Sequence, residues 1–115
     1  MTAGINDGVD GATAKRLKRG EYPIAVRLDL HGMHQAEAFS ALREGLEAAY
    51  HNGERCLLVI TGKGREGAGV LREELPRWLR EPAFSRYVLA YDVAQAKHGG
   101  SGAFYILVKR KRSHE

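Results

Sequence analysis

Residues 55–64, RCLLVITGKG, decide the fold. Residues 56–60 are all apolar, so both faces of this segment can be buried, as in a strand with neighbours on both sides within a sheet. Thr61 follows, and Gly62 and Gly64 then flank a lysine in a loop rather than continuing the strand. The stretch therefore predicts a central β-strand that ends in a short glycine-rich loop.

Clear apolar periodicities occur on both sides of this strand. Apolar and polar residues alternate where strands are expected, and apolar residues recur with a period near 3.6 where helices are expected. In chain order they predict a strand over 24–30, a helix over 35–52, the central strand, a helix over 70–80, and strands over 87–92 and 103–109. Pro76 is expected to kink or split the second helix, because proline removes a backbone donor.

This order, βαβαββ, predicts a two-layer α/β sandwich with a mixed four-stranded sheet. Right-handed crossovers make the first strands parallel, and the last two strands, joined without a helix, form an antiparallel hairpin. Two helices cover one face of the sheet, so the other face is expected to stay partly open. Loops 31–34, 61–69 and 93–102 then share the carboxyl edge of the parallel strands, where open α/β sheets bind ligands.

Length and composition exclude several classes of protein. The 115 residues suit one domain, and 43% hydrophobic residues exclude a disordered chain. The longest apolar run is too short to cross a bilayer, and the N-terminus lacks the pattern of a secretory signal. A cytoplasmic protein with no membrane partner is expected, and its single cysteine, Cys56, is expected to be a buried apolar side chain rather than a reactive thiol.

The positive charge is concentrated near the two ends of the chain. The net charge is +4, yet without the four cations of residues 15–19 and the four of residues 109–112, ten Lys and Arg remain against 14 Asp and Glu. Basic flanks suit a nucleic-acid backbone, because neutralised phosphates release counterions. Solvated tails that keep the protein soluble are the alternative. The predicted organisation is a mobile arm over 1–22, basic in its second half and compatible with some helix over 12–18, a domain over 23–110 and a basic tail over 111–115.

The first candidate motif is LDLHG at residues 28–32. Strand alternation puts Asp29 and His31 on one polar face, where the carboxylate can orient the imidazole or hold its charged form. Such a pair is suited to general acid or base catalysis, so both are candidate catalytic residues. An ordinary surface pair is the alternative.

The second motif is TGKGR at residues 61–65. Backbone amides freed by Gly62 and Gly64 can form an anion-binding nest, to which Lys63 and Arg65 add positive charge for a phosphate. A nucleotide P-loop is excluded, because its Gly-x4-Gly-Lys-[Ser/Thr] pattern is absent. A loop that only needs positive φ is the alternative.

The third motif is HGGSG at residues 98–102. Gly99 and Gly100 either let a ligand approach closely or form the turn into the last strand. His98 is a candidate acid or base, a candidate hydrogen-bond donor to a phosphate, or an ordinary surface histidine.

The sequence assigns no metal ligands. A site built from Asp29, His31, His34 and His98 is an alternative, although no spacing matches a closed zinc site. A divalent cofactor, Mg²⁺ or Mn²⁺, is left open.

The three motifs together resemble the Smr (small MutS-related) domain family. They occur in the same order and on the same elements, and the resemblance covers about residues 24–110. It implies the fold of the C-terminal domain of translation initiation factor three. It also implies endonuclease activity, which nicks DNA in some members and cleaves messenger RNA at stalled or collided ribosomes in others.

Carried over residue by residue, the resemblance implies that the Asp-x-His positions of the family are Asp29 and His31. Its glycine motifs fall on residues 61–64 and on Gly99, Gly100 and Gly102. Many members begin the second motif with His-Gly, where this chain has Thr61, so a proton-transfer or phosphate-contact group is missing. Members often have Thr or Ser where His34 stands, so the expected helix capping box is weakened.

Two functions follow. One is a small endonuclease or nickase in which Asp29 and His31 act at a scissile phosphate of DNA or RNA that the Lys63 loop holds. The other is a non-catalytic module that binds RNA, DNA or a ribosome through the basic flanks and glycine loops. Thr61 in place of histidine favours the binding module, and the Asp29–His31 pair favours the enzyme.

Overall fold

A computed structural model describes residues 4–5, 9–63 and 68–111. The strands are β1 (Gly4–Ile5), β2 (Val26–Asp29), β3 (Cys56–Ile60), β4 (Val88–Val93) and β5 (Ala103–Val108). The helices are α1 (Gly11–Lys18), α2 (Gln35–Asn52), α3 (Ala68–Leu79) and α4 (Pro82–Ser85), and two 3₁₀ turns, Ala96–His98 and Gly100–Gly102, lead into β5. Within this part of the chain, no helix is both long and apolar enough to cross a membrane.

The strands form one mixed sheet in the order β1-β4-β5-β3-β2. β2 and β3 are parallel, whereas β5 is antiparallel to both β3 and β4. β4 therefore runs in the same direction as β2 and β3, as expected for strands joined through helices. The predicted mixed α/β sheet is confirmed, and the complete burial of residues 57–59 confirms that β3 is a central strand.

β1 is absent from the predicted four-stranded sheet. It pairs antiparallel with β4, with Gly4 opposite Tyr91 and Ile5 opposite Ala90. Two residues are too few to show the alternation by which a strand is recognised in a sequence. Within the described residues the sheet therefore has five strands.

Helices α2, α3 and α4 cover one face of the sheet. Leu42 and Leu46 of α2 belong to one buried cluster with Leu57 and Val59 of β3. α2 ends at Gly53, whose φ of 74° lies in the left-handed region that glycine adopts without strain. The apolar stripe of this helix and its stop are as predicted.

Pro76 does not divide α3, which continues as one helix to Leu79. Proline has no N–H, so the residue four positions earlier loses its usual hydrogen-bond donor. The helix ends three residues after the proline. Pro82 then begins the separate helix α4, at the first helical positions where a missing N–H costs little.

The second face of the sheet is covered in part by α1. Leu17 of α1 is 2% exposed and belongs to a buried cluster with Leu58 of β3 and Tyr105 of β5. The mobile arm expected over residues 1–22 thus contains a packed helix. This face is less open than the sequence suggested.

The sequence shows little sign of this packing, because Leu17 is the only large apolar residue in residues 10–20. One apolar side chain cannot display a helical period. The start of the helix is better marked: Asp10 is the N-cap, and its Oδ1 accepts the N–H of Thr13 at 2.7 Å. The division into arm, domain and tail stays a prediction, and residues 112–115 of the tail lie outside the described residues.

Truncation of Leu17 tests the packing of α1. Leu17→Ala should lower the free energy of unfolding by about 2–5 kcal/mol, because truncating a buried leucine leaves a cavity. The control is Val70→Ala, at a side chain that is 44% exposed, and its effect should stay within about 0.5 kcal/mol. Chemical denaturation followed by circular dichroism measures both variants. Equal stabilities would show that α1 does not pack on the sheet.

Candidate functional site

The first motif forms a tight turn at the end of β2. The Leu30 carbonyl accepts the N–H of Met33 at 3.0 Å, and Gly32 has a φ of 85°. A type II turn requires positive φ at its third position, which glycine adopts without strain. Asp29 stabilises this turn, because its Oδ1 accepts the backbone N–H of His31 at 2.9 Å.

Asp29 and His31 are both exposed. The hydrogen bond between them joins the carboxylate to the peptide of His31 rather than to its ring. Orientation of the imidazole by the carboxylate therefore stays a prediction. In the structure the carboxylate fixes the turn on which an accessible imidazole stands, at the carboxyl edge of the sheet.

The second and third glycine motifs are joined through one carbonyl. The Gly102 carbonyl accepts the N–H of Thr61 at 2.9 Å and the N–H of Gly62 at 3.0 Å. It also accepts the Thr61 hydroxyl at 3.3 Å, which lies 3.1 Å from the Gly62 carbonyl as well. Thr61 is completely buried, so its side chain supports the junction between the two loops and offers no group to a ligand.

There is no room for a side chain at position 102. A Cβ at this position would lie 2.9 Å from Cγ of Lys63 and 3.0 Å from the backbone carbon of Gly62. Such distances are shorter than ordinary van der Waals contacts. The close approach of the two loops therefore depends on a glycine here.

An open cleft of about 380 Å³ lies beside this junction, a volume within the usual range of ligand sites, about 300–1,000 Å³. Its walls include the cations Arg27, Lys63 and Lys97 and the ring of His98, and we call it the cationic cleft. The other lining residues are Ile60, Gly62, Gly99, Gly102 and Ala103. Among the described lining residues there is no carboxylate, so the electrostatics favour an anion.

The backbone amides contribute less to this anion site than predicted. The Gly62 N–H is already donated to Gly102, and the N–H groups of Gly99 and Gly100 are donated to carbonyls within their own turn, at Ala96 and Gln95. The expected nest therefore lacks the Gly62 amide. The side chains of Arg27, Lys63 and Lys97 supply the positive charge of the cleft.

Asp29 stands next to the floor of the cationic cleft. In the parallel pair of β2 and β3, Asp29 lies opposite Ile60 and Arg27 lies opposite Leu58. Arg27 and Asp29 are two residues apart, so their side chains leave the same face of the sheet. Because Arg27 and Ile60 line the cleft, the Asp29 carboxylate lies at its border, closer to the carboxyl edge.

Most of the predicted phosphate-binding residues come together. The cleft lining includes Gly62, Lys63, His98 and Gly99. Gly100, with a φ of 56°, belongs to the same turn but does not line the cleft. Gly64 and Arg65 lie outside the described residues, and their roles stay predictions.

Sequence reasoning missed two cations of the cleft, Arg27 and Lys97. Arg27 carried a usable signal, because it precedes Asp29 by two residues and shares its polar face. Lys97 lies next to His98, but its loop contains a 3₁₀ turn with no regular pattern to show which side chains face the cleft.

The third loop is also anchored behind the cleft. His98 Nδ1 lies 2.5 Å from the Tyr105 hydroxyl, which accepts the backbone N–H of Gln95 at 3.1 Å. The side-chain amide of Gln95 donates to the Lys18 carbonyl at the end of α1. The ring of His98 and the basic helix α1 are thereby attached to the same loop.

The described residues provide neither a cluster of metal ligands nor a reactive thiol. Among residues 9–63 and 68–111, no three His, Cys, Asp or Glu side chains lie together as metal ligands, so the set containing Asp29, His31 and His98 is not assembled. Burial raises the pKa of the Cys56 thiol to about 11. Since this thiol is 1% exposed, it is neutral and inaccessible, as expected for a core residue.

Comparison with known proteins identifies relatives of the whole domain. The Smr domain model matches residues 28–109. The ribosome rescue factor SmrB of Shewanella sp. (strain W3-18-1) is 35% identical over 104 residues, and that of Shewanella oneidensis is 34% identical over the same length. Each match covers 90% of this chain and 56% of the relative, so the chain spans about half the length of these relatives.

Two solved structures are similar in fold. YdaL, a stand-alone small MutS-related protein from Escherichia coli, superposes with a TM-score of 0.81 at 30% identity, covering 95% of this chain and 83% of that one. The Smr domain of Thermus thermophilus MutS2 has a TM-score of 0.65 at 28% identity, covering 74% of this chain and 99% of that one.

The crowding at Gly102 gives a prediction for stability. Gly102→Ala should lower the free energy of unfolding by about 1–3 kcal/mol, because the added methyl overpacks the junction between the loops. Gly11→Ala is the control, since a Cβ there meets nothing within 4 Å. Thermal and chemical denaturation measure both. If Gly102→Ala were as stable as Gly11→Ala, the tight junction would not exist in solution.

Proposed function

The chain belongs to the Smr domain family, and from that premise we propose that it is an endonuclease or nickase that cleaves phosphodiester bonds of RNA or DNA at the cationic cleft. The observation that carries the proposal is the position of this cleft at Ile60, the residue opposite Asp29 in the sheet, where β2 ends and the turn that carries His31 begins. A nucleic-acid chain bound at the cleft passes the edge of the sheet that carries an exposed carboxylate and an exposed imidazole, the groups that acid and base catalysis use.

Phosphate binding is assigned to the side chains of the cleft. Arg27 can form two parallel hydrogen bonds to phosphate oxygens, whereas Lys63 and Lys97 act as point charges. The three come from separate segments, so they can contact successive phosphates or one phosphate from several sides. This arrangement grips a backbone without reading bases.

We assign the proton transfer to His31. Its imidazole is exposed, and an imidazole can both accept and donate a proton. Asp29 supports it through the turn, because its carboxylate holds the His31 peptide. With RNA, a base that removes the 2′-hydroxyl proton lets that oxygen attack the phosphate, and the 5′ oxygen leaves with a proton from an acid. This route ends in a cyclic phosphate and a 5′-hydroxyl.

The Shewanella relatives carry the name ribosome rescue factor, which supports RNA on a ribosome as the substrate and a cytoplasmic site of action. This extension is a proposal, because those relatives are longer than this chain.

A binding module without catalysis is the second candidate. It is favoured by the Asp29 hydrogen bond, which goes to the backbone as it would for a purely structural residue. On that view the cationic cleft grips nucleic acid or a ribosome, and the first motif only shapes its border.

Substitution of His31 separates the two candidates. His31→Ala should slow cleavage of end-labelled RNA or nicking of supercoiled DNA by roughly 10²- to 10⁴-fold, the usual contribution of general acid or base catalysis, while binding changes little. The control is His34→Ala, three residues along the chain, because His34 is exposed and makes no side-chain capping bond. Cleavage by His31→Ala at the wild-type rate would leave the binding module as the function.

Asp29→Asn should act in the same direction, and the double variant should be little worse than the worse single variant, because groups that act together are not additive. Product ends and a chelator define the route. A cyclic phosphate that forms with chelator present supports attack by the 2′-hydroxyl, and a linear phosphate that forms only with added metal supports attack by metal-bound water.

The position of α1 gives a prediction for binding. Lys15→Gln with Lys18→Gln should weaken binding of single-stranded RNA and flatten the slope of log K against log salt by roughly 1–2 units, because each phosphate contact contributes about 0.7 units. Arg43→Gln with Arg80→Gln removes two exposed charges from the helix-covered side of the sheet and is the control. Fluorescence anisotropy at several salt concentrations measures both. Equal slopes would remove α1 from the binding surface.

A further inference from the structure

We propose that Tyr105 is a positioning residue for His98: its hydroxyl donates to Nδ1 and holds the ring in the tautomer that carries its proton on Nε2. His98 is thereby a hydrogen-bond donor to an anion in the cationic cleft. The proposal rests on the proposed function only in taking that anion to be a nucleic-acid phosphate.

The hydrogen-bond count at the Tyr105 oxygen supports this direction. The oxygen accepts the backbone N–H of Gln95 at 3.1 Å, and His98 Nδ1 lies 2.5 Å away. A phenol has one proton to donate, and an N–H donor already occupies one of the two lone pairs of its oxygen. Among the described residues these two groups are the only hydrogen-bond partners of the hydroxyl, so donation by Nδ1 would leave the buried phenolic proton without an acceptor. The phenolic proton is therefore assigned to Nδ1, and the two rings stand edge to face with centroids 5.4 Å apart.

Burial holds the phenol in place. Tyr105 is 1% exposed and lies within β5, opposite Leu58 of β3 and Asp92 of β4. Gly20, at the end of α1, covers its hydroxyl so closely that a Cβ at Gly20 would overlap the phenolic oxygen. Gly20 also has a φ of 70°, which side chains rarely adopt. The docked α1 segment thus keeps the Tyr105 hydroxyl pointing at the third loop.

The consequence for the cleft follows from the chemistry of a neutral imidazole. When Nδ1 accepts, Nε2 carries the proton and can only donate. His98 lines the cleft with Lys63 and Lys97, so Nε2 is the ring nitrogen left for a ligand. The amides of Gly62, Gly99 and Gly100 are already donated to carbonyls, and an imidazole N–H supplies a directional donor that the two lysines do not. The acceptor role in proton transfer is then left to His31.

The test removes one oxygen atom. Tyr105→Phe deletes the hydroxyl and keeps the ring in β5. Tyr87→Phe is the matched control, because Tyr87 is also a buried residue and its hydroxyl donates to Glu47 on the other face of the sheet. Heteronuclear NMR of the histidine rings, recorded well above the usual imidazole titration range, reports which nitrogen of His98 carries the proton. Inorganic phosphate is titrated into the same samples.

In the wild type, His98 should show protonated Nε2 and unprotonated Nδ1. Tyr105→Phe should give a mixture of tautomers and weaken phosphate binding by roughly threefold to tenfold, the effect expected for one hydrogen bond. Tyr87→Phe should leave both unchanged. A wild-type His98 that carries its proton on Nδ1 overturns the proposal, whether or not Tyr105→Phe folds. So does a Tyr105→Phe variant with the wild-type tautomer.

Neither readout requires cleavage of nucleic acid. A fixed Nε2–H tautomer in a protein that cuts neither RNA nor DNA would support the role of Tyr105 and reject the endonuclease. A mixed tautomer in an active enzyme would do the reverse.

Discussion

The three hydrogen bonds accepted by the Gly102 carbonyl hold the cleft together. They join the end of β3 to the start of β5, so two glycine loops that are 41 residues apart become one wall. Thr61 contributes two of the three donors from a completely buried position. The family resemblance implies that Thr61 replaces a histidine that transfers a proton or contacts phosphate, whereas in the structure the Thr61 side chain supports the junction. Lys63 and His98 reach the same cleft because this junction brings their loops into contact.

The two faces of the sheet differ in what they carry. α2, α3 and α4 bury most of the large apolar side chains on one face, and this layer supplies most of the core. The other face carries α1, the cationic cleft and the first motif. On this side there are seven exposed Lys and Arg residues in α1, at its C-cap Arg19 and in the cleft, against three exposed carboxylates, Asp10, Glu21 and Asp29. The positive charge of residues 15–19 therefore lies on the same face of the sheet as the cleft.

The elements that could be predicted from the sequence are those whose buried residues recur in a regular pattern. β3 and α2 were recognised because several buried residues recur at a fixed period, and the shared edge of the three motifs followed from the order of the elements. α1 rests on one leucine and β1 on two residues, so neither has a period to recognise. In the site, the hydrogen bonds of Thr61, Asp29 and Tyr105 depend on distances across the fold, which no local pattern encodes. The likeness to translation initiation factor three stays a prediction.

The insertion of β5 between β3 and β4 has a consequence for synthesis. β5 is the last of the strands in the described residues, yet it lies in the middle of the sheet and carries Tyr105. During translation the N-terminal segments emerge first. The cleft border at Asp29 and the Lys63 loop are therefore made well before the residues that complete the wall. A nascent chain that has not yet released residues 102–108 lacks both the Gly102 carbonyl and the partner of His98. Full anion binding thus arises only when the sheet is closed.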